Sequence, residues 1–250
     1  MDRLRVRPGA ILILASALFL GACAAQSDVS GDDSPTVNDP LEPYNRYMFA
    51  VNDALDGGVI RPAAEAYRFV IPQPGRRAIL NFLRNLESPV TLANDVLQGE
   101  VGRAGVTSAR FIINMTVGVA GLFDAAGAMG FERHSEDFGQ TLGVYGAGGG
   151  PYFVLPIFGP SNFRDTFGMG VDDFFNPVRL WARNTDREGV ALVRTLVRGI
   201  DLRSRTIETL DEIERTSIDY YATIRSLYRQ TREDEIRNGD LAPLPELGAD

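Results

Sequence analysis

The chain has 250 residues, of which 44% are hydrophobic and 23% charged. Those proportions fit a globular body, with neither the extreme charge of a disordered chain nor the apolar content of a multi-span membrane protein. All 25 basic residues are arginine, and against 33 acidic residues they leave a formal charge of −8. Without a lysine there is no phosphate-loop lysine, no Schiff base and no pyridoxal phosphate anchor. The single histidine, His134, and single cysteine, Cys23, exclude a zinc site of ordinary ligand count and any disulfide within the chain. Serine or carboxylate catalysis remains open.

The first segment reads as an address. Arg3, Arg5 and Arg7 precede an apolar stretch, residues 10–20, interrupted only by Ser16. At about 1.5 Å rise per residue this is too short for a permanent transmembrane helix, and it reads as a signal peptide over residues 1–22. Its ending, Leu20-Gly21-Ala22-Cys23, resembles a bacterial lipobox, in which the cysteine thiol receives a diacylglyceryl group and becomes the mature N-terminus. No other cofactor is expected beyond this covalent lipid on Cys23. Ala24, rather than aspartate, follows the cysteine, and by resemblance to lipoprotein sorting rules this directs the protein to the outer membrane, anchored on its periplasmic face. Removing residues 1–22, with three arginines and one aspartate, takes the formal charge from −8 to −10. So acidic a protein is not expected to bind nucleic acid. Residues 23–38, rich in Ser, Asp and Gly, read as a flexible tether.

From Asp39 onward the pattern is helical. Asp39, Pro40 and Glu42 provide a capping residue, a first-turn proline and a capping-box glutamate, after which Tyr44, Met48, Val51 and Leu55 share one face. Gly57-Gly58 is expected to end that helix. A second runs from Arg61-Pro62 to Val70 and stops at Pro72-Gln73-Pro74, whose prolines cannot donate the next hydrogen bond. A third carries Ile79, Phe82, Leu83 and Leu86, and a fourth opens at Ser88-Pro89 and closes at Gly99. Alternating strand patterns are almost absent, residues 152–155 being the best short candidate. The fold class is therefore all-α, over a domain at residues 39–238, and residues 239–250 read as a disordered tail.

Residues 111–123 are thirteen positions without a charge, punctuated by Gly118 and Gly121. As a helix they would reach roughly 20 Å, the depth of one leaflet, and cannot span a bilayer. They suit either a buried core helix or a segment whose Phe111, Ile112, Ile113, Val117 and Phe123 face acyl chains. Gly143, Gly146, Gly148, Gly149 and Gly150 then precede an aromatic segment bounded by prolines, which reads as a hinged element or a surface loop. Arg183, Arg187, Arg194, Arg198 and Arg205 fall near one helical face if the helix is unbroken, and either meet phosphate head groups or pair with carboxylates. His134 stands beside Ser135, Glu136 and Asp137, but sequence neighbours rarely supply triad geometry and no Gly-x-Ser-x-Gly elbow exists. No catalytic residue and no metal ligand is assigned.

A co-linear series of motifs resembles the MlaA (VacJ) family of outer-membrane lipoproteins. It opens with Asp39-Pro40-Leu41-Glu42-Pro43-Tyr44-Asn45-Arg46 and continues through Arg61-Pro62, Pro72-Gln73-Pro74, Asn81-Phe82, Asn94-Asp95 and Leu97-Gln98-Gly99. Arg110-Phe111-Ile112-Ile113-Asn114, Gly121-Leu122-Phe123-Asp124 and Asp137-Phe138-Gly139-Gln140-Thr141-Leu142-Gly143 follow, with Gly150-Pro151-Tyr152, Leu155-Pro156, Gly159-Pro160 and Arg164-Asp165 beyond. Past Trp181 the likeness rests on helical character alone. Ala50-Val51 and the triple glycine 148–150 depart from the usual family pattern, which bears on the pore lining and the gate.

The resemblance implies a ring of amphipathic helices in the inner leaflet of the outer membrane, around a central polar channel. It implies a hairpin beside the channel, hinged at Gly143, Gly146, Gly148 and Gly150. Its expected partners are phospholipids, a trimeric porin and the periplasmic lipid carrier MlaC, which hands lipid to an inner-membrane transporter. The implied role is removal of misplaced phospholipid from the outer leaflet, which requires no covalent step. A porin-bracing structural lipoprotein and a membrane-tethered lipid or cell-wall hydrolase are the other readings.

Overall fold

The computed structural model describes residues 39–238; the signal peptide, Cys23, the tether and the C-terminal tail lie outside the described residues. Helices dominate, in agreement with the all-α reading. The chain order is α1 (Glu42–Leu55), a π turn (Asp56–Ile60), α2 (Arg61–Val70), α3 (Gln73–Asn85), α4 (Ser88–Gln98) and α5 (Val101–Thr116). Then come the short α6 (Ala125–Ala128), α7 (Phe138–Val144), strands β1 (Tyr152–Leu155) and β2 (Gly159–Asn162), α8 (Phe163–Phe175), α9 (Pro177–Asn184), α10 (Glu188–Thr216) and α11 (Tyr220–Ile236).

Several boundaries follow from local chemistry. Gly99 ends α4 in the left-handed conformation at φ 79°, which glycine adopts without steric cost. Gly146 does the same after α7 at φ 82°, while the Ala147 N–H reaches back to the Leu142 carbonyl. Asp137 and Gln140 form a reciprocal capping box at the start of α7.

Three sequence expectations are corrected. Gly57-Gly58 does not end the first helix, because the chain widens into one π turn and runs on into α2. There Asp56 is gripped by Arg203, whose Nε lies 2.8 and 2.9 Å from its two oxygens, so a tertiary ion pair outweighs weak glycine propensity. Asp39 does not cap α1 with its side chain; Leu41 occupies that position, and the Asp39 carboxylate instead accepts from Asn45 Nδ2 at 2.8 Å, from Arg225 Nη1 at 2.5 Å and from the Tyr221 hydroxyl. Residues 111–123 are not one helix. The helix stops at Thr116, and a turn through left-handed Val119, Ala120 and Gly121, at φ 53°, 56° and 87°, reverses the chain.

The contacts between elements close into a circuit. In order, α2 packs on α10, α10 on α3, α3 on α5, α5 on α4, α4 on α7, and α7 on α11. From α11 the circuit returns through β2 and β1 to α1, and so through the π turn to α2. Helices α7 and α8 touch backbone to backbone, since a Cβ at Gly168 would stand 2.3 Å from the Gly139 nitrogen.

Antiparallel β1 and β2 pair Tyr152 with Asn162 through Leu155 with Gly159. The β2 sequence Gly-Pro-Ser-Asn carries no strand propensity and becomes a strand only as the return arm of the hairpin; its Pro160 is tolerated at an edge. Around Tyr152, Val154 and Tyr221 lies a small aromatic core joined by Met48, Phe49 and Tyr228. Elsewhere the usual arrangement is inverted. Buried polar side chains such as Asn45, Asn94, Asp95, Asp201 and Arg225 outnumber buried apolar ones. Phe69, Val101, Phe174, Phe175 and Leu192 meanwhile stand exposed, Phe69 at 91%.

Candidate functional site

The polar opening is built mainly by three consecutive helices. Helix α3 ends on Asn81, Arg84 and Asn85, α4 begins with Ser88 and Thr91, and α5 presents Thr107, Arg110 and Asn114. Asp124, Arg133 and His134, from the segments after α5, complete the lining. The spacings 81, 84, 85 and 107, 110, 114 keep each set on one helical face. Its free interior is about 30 Å³, room for little more than a water, so anything larger enters only if the walls move apart.

One side of the opening is fixed by an ion pair. Arg110 Nη2 donates to both oxygens of Asp124 at 2.8 and 3.0 Å, and Nη1 donates to the Phe131 carbonyl. Asn114 braces the pair, donating to Asp124 at 3.1 Å and accepting the Ala126 N–H at 3.0 Å. Burial pushes the Asp124 carboxyl up, but Arg110, the Gly127 N–H and Asn114 more than offset this and hold it below the usual carboxylate range. The turn beyond α5 folds back so closely that a Cβ at Gly121 would stand 2.8 Å from Asn85 Cβ.

The other side holds His134. Its Nε2 lies 2.9 Å from Asp95 Oδ1 and 3.1 Å from the Thr107 hydroxyl, while that hydroxyl donates to Asp95 Oδ2 at 2.6 Å. A catalytic triad places acid and nucleophile on opposite ring nitrogens. Here both meet one nitrogen and the hydroxyl proton is committed to the acid, so the arrangement is a structural polar knot. Ser135 takes no part in it.

The hairpin is the second feature. Asn45 donates Nδ2 to the Tyr152 carbonyl at 3.1 Å and accepts the Val154 N–H at 2.9 Å. Two turns along, Asn52 donates to the Leu155 carbonyl at 2.8 Å and accepts the Ile157 N–H at 2.7 Å. A carboxamide offers the same donor and acceptor as a peptide bond, so α1 serves the free edge of β1 as a neighbouring strand would. The two asparagines were not singled out from sequence; their seven-residue separation on one helix face was the available signal.

Behind the hairpin, a cavity of about 500 Å³ lies between α8, α10 and α11. Met169, Leu210, Ile213, Ile224 and Leu227 supply apolar walls, and Asp165 with Arg232 closes a polar end.

The predicted residues fall as follows. Gly146, Gly148 and Gly150 lie between α7 and β1, whereas Gly143 is inside α7, where a Cβ would meet Ile236 Cδ1 at 2.9 Å. Ile112, Val117 and Phe123 are exposed, Phe111 and Ile113 half-buried. The arginine stripe is broken, since Arg183 belongs to α9 and Arg187 precedes α10. Of the rest, Arg194 and Arg198 share Glu87 at 3.7 and 2.5 Å, and Arg205 pairs with Asp201 at 2.8 Å. No helix among the described residues is long and apolar enough to cross a membrane.

The family model for the MlaA lipoprotein matches residues 37–235. The chain belongs to the MlaA lipoprotein family. It is 36% identical over 236 residues to the intermembrane phospholipid transport system lipoprotein MlaA of Escherichia coli (strain K12), covering 93% of this chain and 90% of that protein. The protein of the same name from Haemophilus influenzae is 32% identical over 237 residues, 93% of this chain and 92% of its own length. A solved chain described as the structural basis for maintenance of bacterial outer membrane lipid asymmetry superposes with a TM-score of 0.72 at 34% identity, covering 80% of this chain and all of that one.

Proposed function

We propose that the protein removes misplaced phospholipid from the outer leaflet of the outer membrane through its polar opening and passes it to a periplasmic carrier. The observation that carries this reading is the inverted burial: a circuit of helices encloses polar groups and turns apolar side chains outward. A charged head group entering bare hydrocarbon meets a large desolvation penalty, which an opening lined by amides, hydroxyls and arginines reduces, while the tails remain in contact with the apolar exterior. The relatives named for intermembrane phospholipid transport support the same role.

In this reading Cys23 carries the anchoring lipid, and the exposed Ile112, Val117 and Phe123, with Phe111 and Ile113 behind them, face acyl chains. Gly146, Gly148 and Gly150 let the hairpin swing relative to α7, with Gly143 as the close-packed pivot beside Ile236. A trimeric porin holds the protein in place and MlaC receives the lipid. No catalytic group is needed, in keeping with the arrangement at His134.

The test is the outer-leaflet phospholipid content of cells lacking the protein, complemented with wild type or Cys23→Ala. A rise reversed by wild type alone is expected. No rise, with other lipid-removal systems deleted, would leave the protein as a structural brace.

A further inference from the structure

We propose that Arg84, Arg133 and Asn85 form an anion subsite in the polar opening, which takes a phosphoryl group and favours head groups of net negative charge. This deepens the transport reading and rests on it for the source of the ligand. The subsite emerges from the charge pairing around the opening. Asp124 belongs to Arg110, and Glu87 belongs to Arg198 and Arg194. Asp201 is held by Arg205 and by the Tyr67 hydroxyl at 2.9 Å, and Asp95 by Thr107 and His134. The carboxylates whose charges act on the two arginines, Glu87, Asp124 and Asp201, are thus already engaged. Among the described residues neither the Arg84 nor the Arg133 guanidinium has an ion pair or a hydrogen bond.

Both side chains are exposed and line the same opening. Their setting disfavours positive charge: partial burial, then the charges of Arg84, Arg110 and Arg198, pull the Arg133 guanidinium down to about 10, with Glu87 acting the other way. Arg84 is lowered too, by burial and by Arg205. A third group points to a ligand. Asn85 is only 4% exposed, lines the same opening, and its Nδ2 has no hydrogen-bond partner among the described residues. Two unpaired guanidinium groups beside a buried, unsatisfied amide donor make a site to which one phosphate oxygen set brings both charge and acceptors. A zwitterionic head group brings the same phosphate with an ammonium that the second arginine repels, which gives the preference for net negative lipids.

The test uses the purified full-length protein in detergent micelles, titrated calorimetrically with dihexanoyl phosphatidylglycerol and dihexanoyl phosphatidylcholine. Wild type is expected to bind the anionic probe about tenfold more tightly, since only the choline probe sets a like charge beside the unpaired arginines. Arg84→Gln/Arg133→Gln should erase the difference and Arg84→Lys/Arg133→Lys should keep it. The single Arg84→Gln variant, at an exposed side chain, gives the same reading if the double variant does not fold. Inorganic phosphate should displace the anionic probe only in large excess; displacement at equal concentration would assign the site to free phosphate and overturn the head-group source. A tenfold preference surviving in a glutamine variant that melts like wild type overturns the subsite itself. That result would leave the transport reading untouched, since transport is judged by wild-type complementation in cells.

Discussion

Asp165→Ala is expected to destabilise the protein by about 3–5 kcal/mol, the cost of removing one member of a buried charge network. For a domain of this size that lowers the melting temperature on the order of 10 °C, measurable by circular dichroism in detergent. Asp165 is 6% exposed and accepts from Arg232 Nε at 2.9 Å, Arg164 Nε at 2.9 Å, Asn162 Nδ2 at 2.8 Å and the Tyr228 hydroxyl at 2.5 Å. It therefore ties α8 to α11 and the end of β2. Its loss leaves Arg164 without its carboxylate and Tyr228 without its acceptor in a buried setting. Burial pushes the Asp165 carboxyl up, but Arg232 and Tyr228 hold it below the usual range. Such a group contributes stability above its unfolded pKa of about 3.9, and the contribution disappears as pH falls through its folded value. Wild type should thus lose more stability than Asp165→Asn when both are acidified below about pH 4. Equal acid sensitivity in the two would remove Asp165 from the pH dependence.

Asn45→Ala should release the hairpin. The substitution strips partners from the Val154 N–H, the Tyr152 carbonyl and one Asp39 oxygen, at about 1–3 kcal/mol for each group left buried and unsatisfied. Amide hydrogen exchange at Val154 is expected to accelerate by more than tenfold while amides of α4 and α5 stay protected. Asn45→Asp keeps the acceptor for Val154 but loses the donor to Tyr152 and sets a second negative charge beside Asp39, so it should release the hairpin as well. Unchanged exchange at Val154 in both variants would show that the aromatic core alone holds β1.

Helix class and most boundaries were legible because they depend on short-range signals. Pro72-Gln73-Pro74, Ser88-Pro89, Gly99 and the amphipathic spacing of α3 each act within a turn or two of themselves. Where a distant partner decides, the sequence reading failed. Arg203 carries the helix past Gly57-Gly58 from 147 positions away, and Arg225 draws Asp39 off its capping role from 186 away. The strand identity of β2 likewise comes from β1 rather than from its own residues. Of the candidate site, the apolar run and the glycine segment were visible as composition. The polar opening was not, because Arg84, Thr107, Asp124 and Arg133 are ordinary polar residues until three helices bring them together.

The inversion of polar and apolar side chains bears on the temperature dependence of stability. The heat capacity of unfolding, about 12–15 cal/mol/K per residue in ordinary domains, comes from apolar surface that water meets only after the fold is lost. Here much of that surface already faces outward, and the interior releases amides, hydroxyls and ions, whose hydration acts in the opposite sense. The free-energy curve is therefore flatter than that of a protein of equal length with an apolar interior. Its cohesion rests on the hydrogen-bonded interior, and it changes little between cold and warm surroundings.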